Sequence, residues 1–409
     1  MSAAESLVES RYAWTRLWAA LALMTIGGSG MYAVTVVLPR VQAEFGVSRS
    51  DASLPYTFTM IGFGLGGILM GRLSDRYGVM VPVIIGALGL SAGFVAAGTA
   101  GSLWQFNLAQ GLLIGLLGTS ATFAPLVADI SLWFTRRRGI AVAICISGNY
   151  LAGAVWPPVM QHFIDGVGWR QTYIGIGVFC LAAMLPLALV LRRRPPIPEL
   201  PAAGSVASVA GSAGKLGLSP GTLLTLLCVA GVACCVAMSM PQVHIVAYCG
   251  DLGYGPARGA QMLSLMLGCG IVSRLTFGWI SDHIGGLRTL LLGSTLQMIA
   301  LVLFLPFKGL ASLYLVSALF GLFQGGIVPA YALIVREHFT PREAGARMGT
   351  VLMATLFGMA LGGWMSGWIF DLTGSYRAAF VNGIAWNLLN IGIVAALLYR
   401  SRARAAFAG

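Results

Sequence analysis

Residues 71–78 read GRLSDRYG, and residues 278–285 read GWISDHIG. Each octapeptide links two apolar runs of helix length, and the two lie 207 residues apart in a chain of 409. Working outward, 168–173 (GWRQTY) and 375–380 (SYRAAF) repeat that offset. Asp129 and Glu337, each closing a helix before a basic loop, differ by 208. Three landmarks at one spacing of about half the chain indicate two parallel repeats.

The composition says what the repeats are made of. Charged residues are 9% of the chain, hydrophobic residues 57%, and the mean hydropathy is +0.84. A soluble domain carries about 25% charged residues, so most of this chain is kept from water. Twelve stretches reach the roughly 20 apolar residues that cross a bilayer. They predict helices at 14–38, 54–73, 79–99, 103–128, 138–161, 170–191, 221–248, 257–280, 288–306, 311–335, 346–370 and 376–399. The expected fold is an all-α membrane protein of twelve transmembrane helices in two pseudo-symmetric six-helix bundles. The expected domains are 1–191 and 221–409. A cytoplasmic linker, 192–220, opens with Arg192, Arg193, Arg194, Pro195 and Pro196 and continues rich in Ala, Gly, Ser and Pro, the composition of a flexible tether.

A net charge of +12 suggests nucleic acid, but the basic residues are scattered through short gaps between apolar runs. With the N-terminus inside, eighteen of the 25 Lys and Arg fall on the inner side, six on the outer side, and Arg274 within a helix. That threefold bias follows the positive-inside rule and places both termini in the cytoplasm of a bacterial inner-membrane protein. The first thirteen residues lack an A-x-A cleavage signal, so no cleaved signal peptide is expected. The seven cysteines show no metal spacing. No P-loop, metal cluster or catalytic triad is visible, so the expectations are no cofactor, no metal, no nucleic acid and no enzymatic activity.

The octapeptide at Gly71, Asp75, Arg76 and Gly78 resembles the G-x-x-x-D-R-x-G signature of the major facilitator superfamily, with Val79 and Met80 where two basic residues usually follow. The second copy keeps Gly278, Asp282 and Gly285. Residues 133–152, WFTRRRGIAVAICISGNYLA, resemble the helix 5 motif of monocarboxylate transporters, with Phe134, Arg137, Arg138, Ala141 and Gly148 matching outright. The helix 1 motif of that family survives only as Glu9, Ala13 and Trp14. Arg274 stands where that family carries an arginine in helix 8, and Gly270 where many animal members carry an aspartate. The resemblance covers the whole chain and implies a bacterial relative that carries small organic anions by alternating access, with protons. It also implies that the two aspartates of the signature help to stabilise an outward-open state.

Arg274 is the main candidate for binding a substrate carboxylate. A cation at a helix centre costs about 2.5–3.5 kcal/mol on insertion scales. No Asp or Glu falls in a predicted helix core, and Gly270 and Gly278 leave room one turn either side. The alternative is an arginine that snorkels to the headgroups. Tyr32, Asn149, Tyr150, Gln324 and Tyr331 are candidate cavity residues, with packing as the alternative. His244, near the outer end of helix 7, is a candidate proton carrier by its reference pKa, or a satisfied hydrogen-bonding residue. Asp75 and Asp282 are expected to clamp helices at the inner side with Arg76 as partner. Asp129 and Glu337 are expected to face Arg136–Arg138 and Arg336 or Arg342 in the same layer. Asn107 and Gln110 are expected to hydrogen-bond between helices. The run Gly27, Gly28, Ser29, Gly30 is expected to loosen helix 1.

The expected function is a monomeric secondary transporter that moves a small organic anion, a monocarboxylate, by proton symport in a lipid bilayer. The rival is an efflux antiporter. Many such exporters carry G-x-x-x-G-P-x-x-G-G in helix 5, but residues 148–157 read GNYLAGAVWP.

Overall fold

A computed structural model describes residues 8–194 and 218–407. Most of the expected tether, 195–217, lies outside them. Twelve helices are long and apolar enough to cross a membrane. In chain order they are α1 (Arg11–Phe45), α2 (Arg49–Tyr77), α3 (Met80–Gly98), α4 (Leu103–Trp133), α5 (Arg138–Val167), α6 (Trp169–Val190), α7 (Pro220–Asp251), α8 (Pro256–Ile284), α9 (Gly286–Leu303), α10 (Leu310–His338), α11 (Gly345–Thr373) and α12 (Tyr376–Ser401). No strand occurs among the described residues.

Many helices overrun the apolar runs that predict them, because chemistry outside the hydrocarbon sets their ends. Ser10, Ser48 and Ser102 precede α1, α2 and α4, and their hydroxyls accept from the amides of Ala13, Asp51 and Gln105. Each cap satisfies an amide that has no partner within the helix. The overrun brings Arg49 inside a helix. Gly78 ends α2 at φ 88°, and Gly285 separates α8 from α9 at φ 79°. Side chains other than glycine rarely adopt such angles, which explains the glycine closing each octapeptide.

The 207-residue register holds along the backbone. It separates both ends of α2 and α8, and the first residues of α4 and α10, and of α6 and α12. Packing follows it as well: α1 on α5, α3 on α4 and α3 on α6 in the first repeat, and α7 on α11, α9 on α10 and α9 on α12 in the second.

Not every helix is regular. α1 is interrupted at Gly28. A Cβ on Gly27 would strike Thr122, and one on Gly28 would come within 2.5 Å of Ala152. The glycine run therefore lets α1 lie close against α4 and α5 as well as breaking it. α4 winds as a wide π-type helix over Ala109–Thr119, and α10 is broken at Gly325 and Gly326.

The chain divides into two compact units, one of Met1–Ala202 with Cys249–Ser264, the other of Ala203–Tyr248 with Leu265–Gly409. The end of α7 and the start of α8 thus belong to the first unit. There Arg49 pairs with Asp251 at 3.1 Å, and the Ser264 hydroxyl donates to the Ala154 carbonyl.

Candidate functional site

In the first unit, Tyr32 on α1 donates to Asn149 Oδ1 on α5 at 3.0 Å. Tyr150 is buried next to it in sequence. Gln110 holds α4 to two neighbours, donating to Tyr173 Oη on α6 at 3.1 Å and meeting the Thr59 hydroxyl of α2 at 3.3 Å. Asn107 is buried as well, but its Oδ1 has no partner among the described residues.

The strongest electrostatic feature of this unit is an ion pair that the sequence does not announce. Arg16 is fully buried, and its Nε and Nη2 donate to Asp129 Oδ2 and Oδ1 at 2.6 and 2.7 Å. Its Nη1 reaches the Arg193 carbonyl at 3.0 Å and Tyr12 Oη at 3.2 Å, while its guanidinium lies over the Trp133 ring. Asp129 was expected to face Arg136–Arg138. That expectation is corrected, because α1 packs on the end of α4 and sets Arg16 beside Asp129. Nearby, the Arg137 amide donates to Glu9 at 2.8 Å, a bond that holds the Glu9 carboxyl below its usual range.

Of the partners expected for Glu337, the Arg342 side chain lies outside the described residues, and the bond the structure gives this glutamate is a different one. It accepts from the Gly286 amide at 3.0 Å and so caps the start of α9, where a carboxylate favours the positive end of the helix. The two acids near one offset therefore do different work. The clamp is also changed. Asp75 and Asp282 are exposed and form no ion pair among the described residues. Arg76 lies over the Tyr77 ring at 5.2 Å, and helix neighbours such as Asp75 and Arg76 point in different directions. Cβ atoms on Gly71 and Gly278 would meet nothing within 4 Å, so these signature glycines are not demanded by contacts among the described residues.

In the second unit, Arg274 lies ten residues before the end of α8, about 15 Å along the axis. The expected distance was six residues; the difference is the extension of α8 to Ile284, which carries the exposed Asp282 and His283. The side chain is half-buried, with Nε and Nη1 shielded from solvent. His244 is fully buried. Its Nε2 lies 2.8 Å from the Gly363 carbonyl of α11 and its Nδ1 lies 3.0 Å from Tyr376 Oη of α12. A carbonyl only accepts, so Nε2 carries the proton and Nδ1 accepts from the tyrosine in the neutral ring. Gln324 is buried and accepts from Gln242 at 2.9 Å. Tyr331 is buried and bonded to Asn390 at 2.6 Å.

Asn390 belongs to an amide cluster that sequence reasoning missed. Its Nδ2 also donates to the Ala230 carbonyl. Asn387 donates to the Ser294 carbonyl at 2.8 Å, and Gln297 donates to the Cys234 carbonyl at 3.3 Å. All three amides are fully buried and tie α7, α9, α10 and α12 together. The i, i+3 spacing of Asn387 and Asn390 on one helix face was the available signal.

Twelve apolar helices in two repeats, with an arginine set deep in one of them, define the class: a polytopic membrane transporter. The sequence matches the Major Facilitator Superfamily over residues 18–312 and 226–408. A bacterial homologue of the human lysosomal transporter Spinster shares the fold, with a TM-score of 0.72 over 96% of this chain and 97% of that one, at 15% identity. The chain belongs to the major facilitator superfamily. Monocarboxylate transporter 13 of Rattus norvegicus is 30% identical to it, over 85% of this chain and 78% of that protein. The Bos taurus form is 29% identical over 85% and 79%.

Proposed function

We propose that this transporter carries a small monocarboxylate by alternating access, together with a proton, with Arg274 as the carboxylate-binding residue. The observation that carries this reading is the depth of Arg274 in α8, with two of its nitrogens shielded from solvent. The planar fork of an arginine suits a carboxylate, and an arginine within a membrane helix marks a functional site. The names of the relatives support the same substrate class. Tyr32, Asn149 and Tyr150 in the first unit and Gln324 in the second are further substrate-binding residues in this proposal. Tyr331, bonded inside the second unit, acts by positioning α10. His244, with both ring nitrogens engaged, holds α7 to α11 and α12, and the proton travels with the substrate or on a nearby polar group.

We place the protein in a bacterial inner membrane with both termini cytoplasmic, on the strength of the basic asymmetry, and read the chain as a monomer with domains 1–191 and 221–409. The test of function is uptake of a labelled acid panel into proteoliposomes, with and without a pH gradient. Accumulation of a monocarboxylate driven by an inward proton gradient is expected. Uptake indifferent to the gradient removes the symport. Transport of neutral or cationic drugs, but of no acid, favours the efflux antiporter.

Asp75 and Asp282 serve as a conformational clamp in this proposal. Asp75→Asn and Asp282→Asn are expected to slow transport several-fold while leaving substrate affinity near wild type, because they bias two states rather than the site. Normal flux with lost affinity in either variant would count against the clamp.

A further inference from the structure

Two arginine triplets that are distant in sequence meet at one corner of the first unit. Arg136–Arg138 follow Trp133 at the end of α4, and Arg192–Arg194 follow the end of α6. All six are exposed. Tyr12 joins them, because its ring contacts Trp133 on one side and lies under the Arg193 guanidinium at 5.0 Å on the other. The buried Arg16 fixes the assembly from below, holding Asp129, the Trp133 ring and the Arg193 carbonyl at once. No ion pair among the described residues includes any of the six.

Three observations say that folding alone does not call for these charges. Six cations gathered by a rigid scaffold repel one another. Arg136–Arg138 stand at the start of α5, where the helix dipole disfavours positive charge. The other repeat, 207 residues on, places Glu343, Ala344 and Gly345 opposite the first triplet and Tyr399, Arg400 and Ser401 opposite the second. The surroundings say where the compensating charge sits. Leu132, Ile140 and Leu189 are exposed apolar side chains within four residues of the arginines in sequence, the pattern of a boundary between acyl chains and headgroups.

We propose that this corner binds the phosphate of an anionic phospholipid headgroup. The guanidinium forks of two triplets grip a phosphate bidentately, and the neighbouring apolar residues receive the lipid's acyl chains. A soluble phosphate compound would use the arginines but gain nothing from Leu132, Ile140 or Leu189.

The test uses the full-length protein, purified and delipidated in neutral detergent, then offered phosphatidylglycerol or phosphatidylcholine, with bound lipid read by native mass spectrometry. Phosphatidylglycerol should be retained in preference to phosphatidylcholine. Arg136→Gln/Arg137→Gln/Arg138→Gln and Arg192→Gln/Arg193→Gln/Arg194→Gln should each bind it at least about tenfold more weakly. Arg258→Gln/Arg377→Gln, at exposed sites far along the chain, should bind it as wild type does. Wild-type protein supplies a second measurement that does not depend on any variant folding: phosphatidylglycerol retention should fall as salt rises, and phosphatidylcholine retention should not. Wild-type lipid preference in both triplet variants overturns the proposal. So does retention insensitive to salt, or displacement of the lipid by millimolar glycerol phosphate, which would mark a site for soluble phosphates instead.

Discussion

Uptake of a labelled monocarboxylate by the Arg274→Ala variant is expected to fall to background, at matched protein levels and an unchanged elution profile. A carboxylate held by two charge-assisted hydrogen bonds gains about 1.5–3 kcal/mol from each. Losing both lowers affinity by roughly 100-fold or more, since each 1.4 kcal/mol is a factor of ten. Folding should be spared, because removing a cation from an apolar helix lowers the cost of inserting it. Arg274→Lys should also transport poorly, because an ammonium cannot make the planar two-point contact. His244→Gln marks the contrast. An amide can still donate toward the Gly363 carbonyl, so a reduced rate or a shifted pH profile is expected rather than abolition. Normal acid uptake by Arg274→Ala would mean that the arginine reaches toward headgroups, and the carboxylate reading would lose its main support.

The second large effect concerns stability. Arg16→Met should sharply destabilise the protein, because it leaves the Asp129 carboxylate buried without its cation and the Arg193 carbonyl without its donor. Breaking a buried pair from one side costs about 3–5 kcal/mol, a large share of the 5–15 kcal/mol that holds a typical domain together. Asp129→Leu should cost a similar amount, for the stranded guanidinium. The double variant Arg16→Met/Asp129→Leu should recover much of the loss, since a well-packed apolar pair needs no desolvation of charge. Thermal unfolding in one detergent across the four proteins decides this. Equal melting of Arg16→Met and wild type would show that the pair contributes nothing.

The helices were legible in the sequence because a bilayer leaves a coarse mark, a long apolar run. Their ends were less so, because hydropathy stops at the hydrocarbon while the backbone continues to a serine cap or a left-handed glycine. Arg49, a loop cation by hydropathy, lies inside α2 for that reason. The octapeptide glycines Gly78 and Gly285 were legible because a positive φ admits few alternatives. Partnerships were not. Asp129 has basic residues seven to nine positions ahead, yet it bonds to one 113 positions behind. His244 reads as a titratable group until Gly363 and Tyr376, more than a hundred residues away, occupy both its nitrogens. Asn387 and Asn390 were overlooked because a lone amide in an apolar run looks the same whether it faces a helix or a lipid.

The amide cluster has a mechanical consequence. In the 207-residue register, Ser294, Gln297, Asn387 and Asn390 of the second repeat stand opposite Ala87, Leu90, Cys180 and Ala183 of the first. Bonds to the Ala230, Cys234 and Ser294 carbonyls have direction and reach, so a slip of α12 by a turn would break both bonds that Asn387 and Asn390 make to its neighbours. Apolar contacts between small side chains can re-form after the same slip at less cost. The α9–α12 seam is bolted by buried amides, while its α3–α6 counterpart carries no amide at the positions opposite the cluster and is pinned instead at one end, where Arg170 Nη1 donates to the Gly98 carbonyl at 2.9 Å.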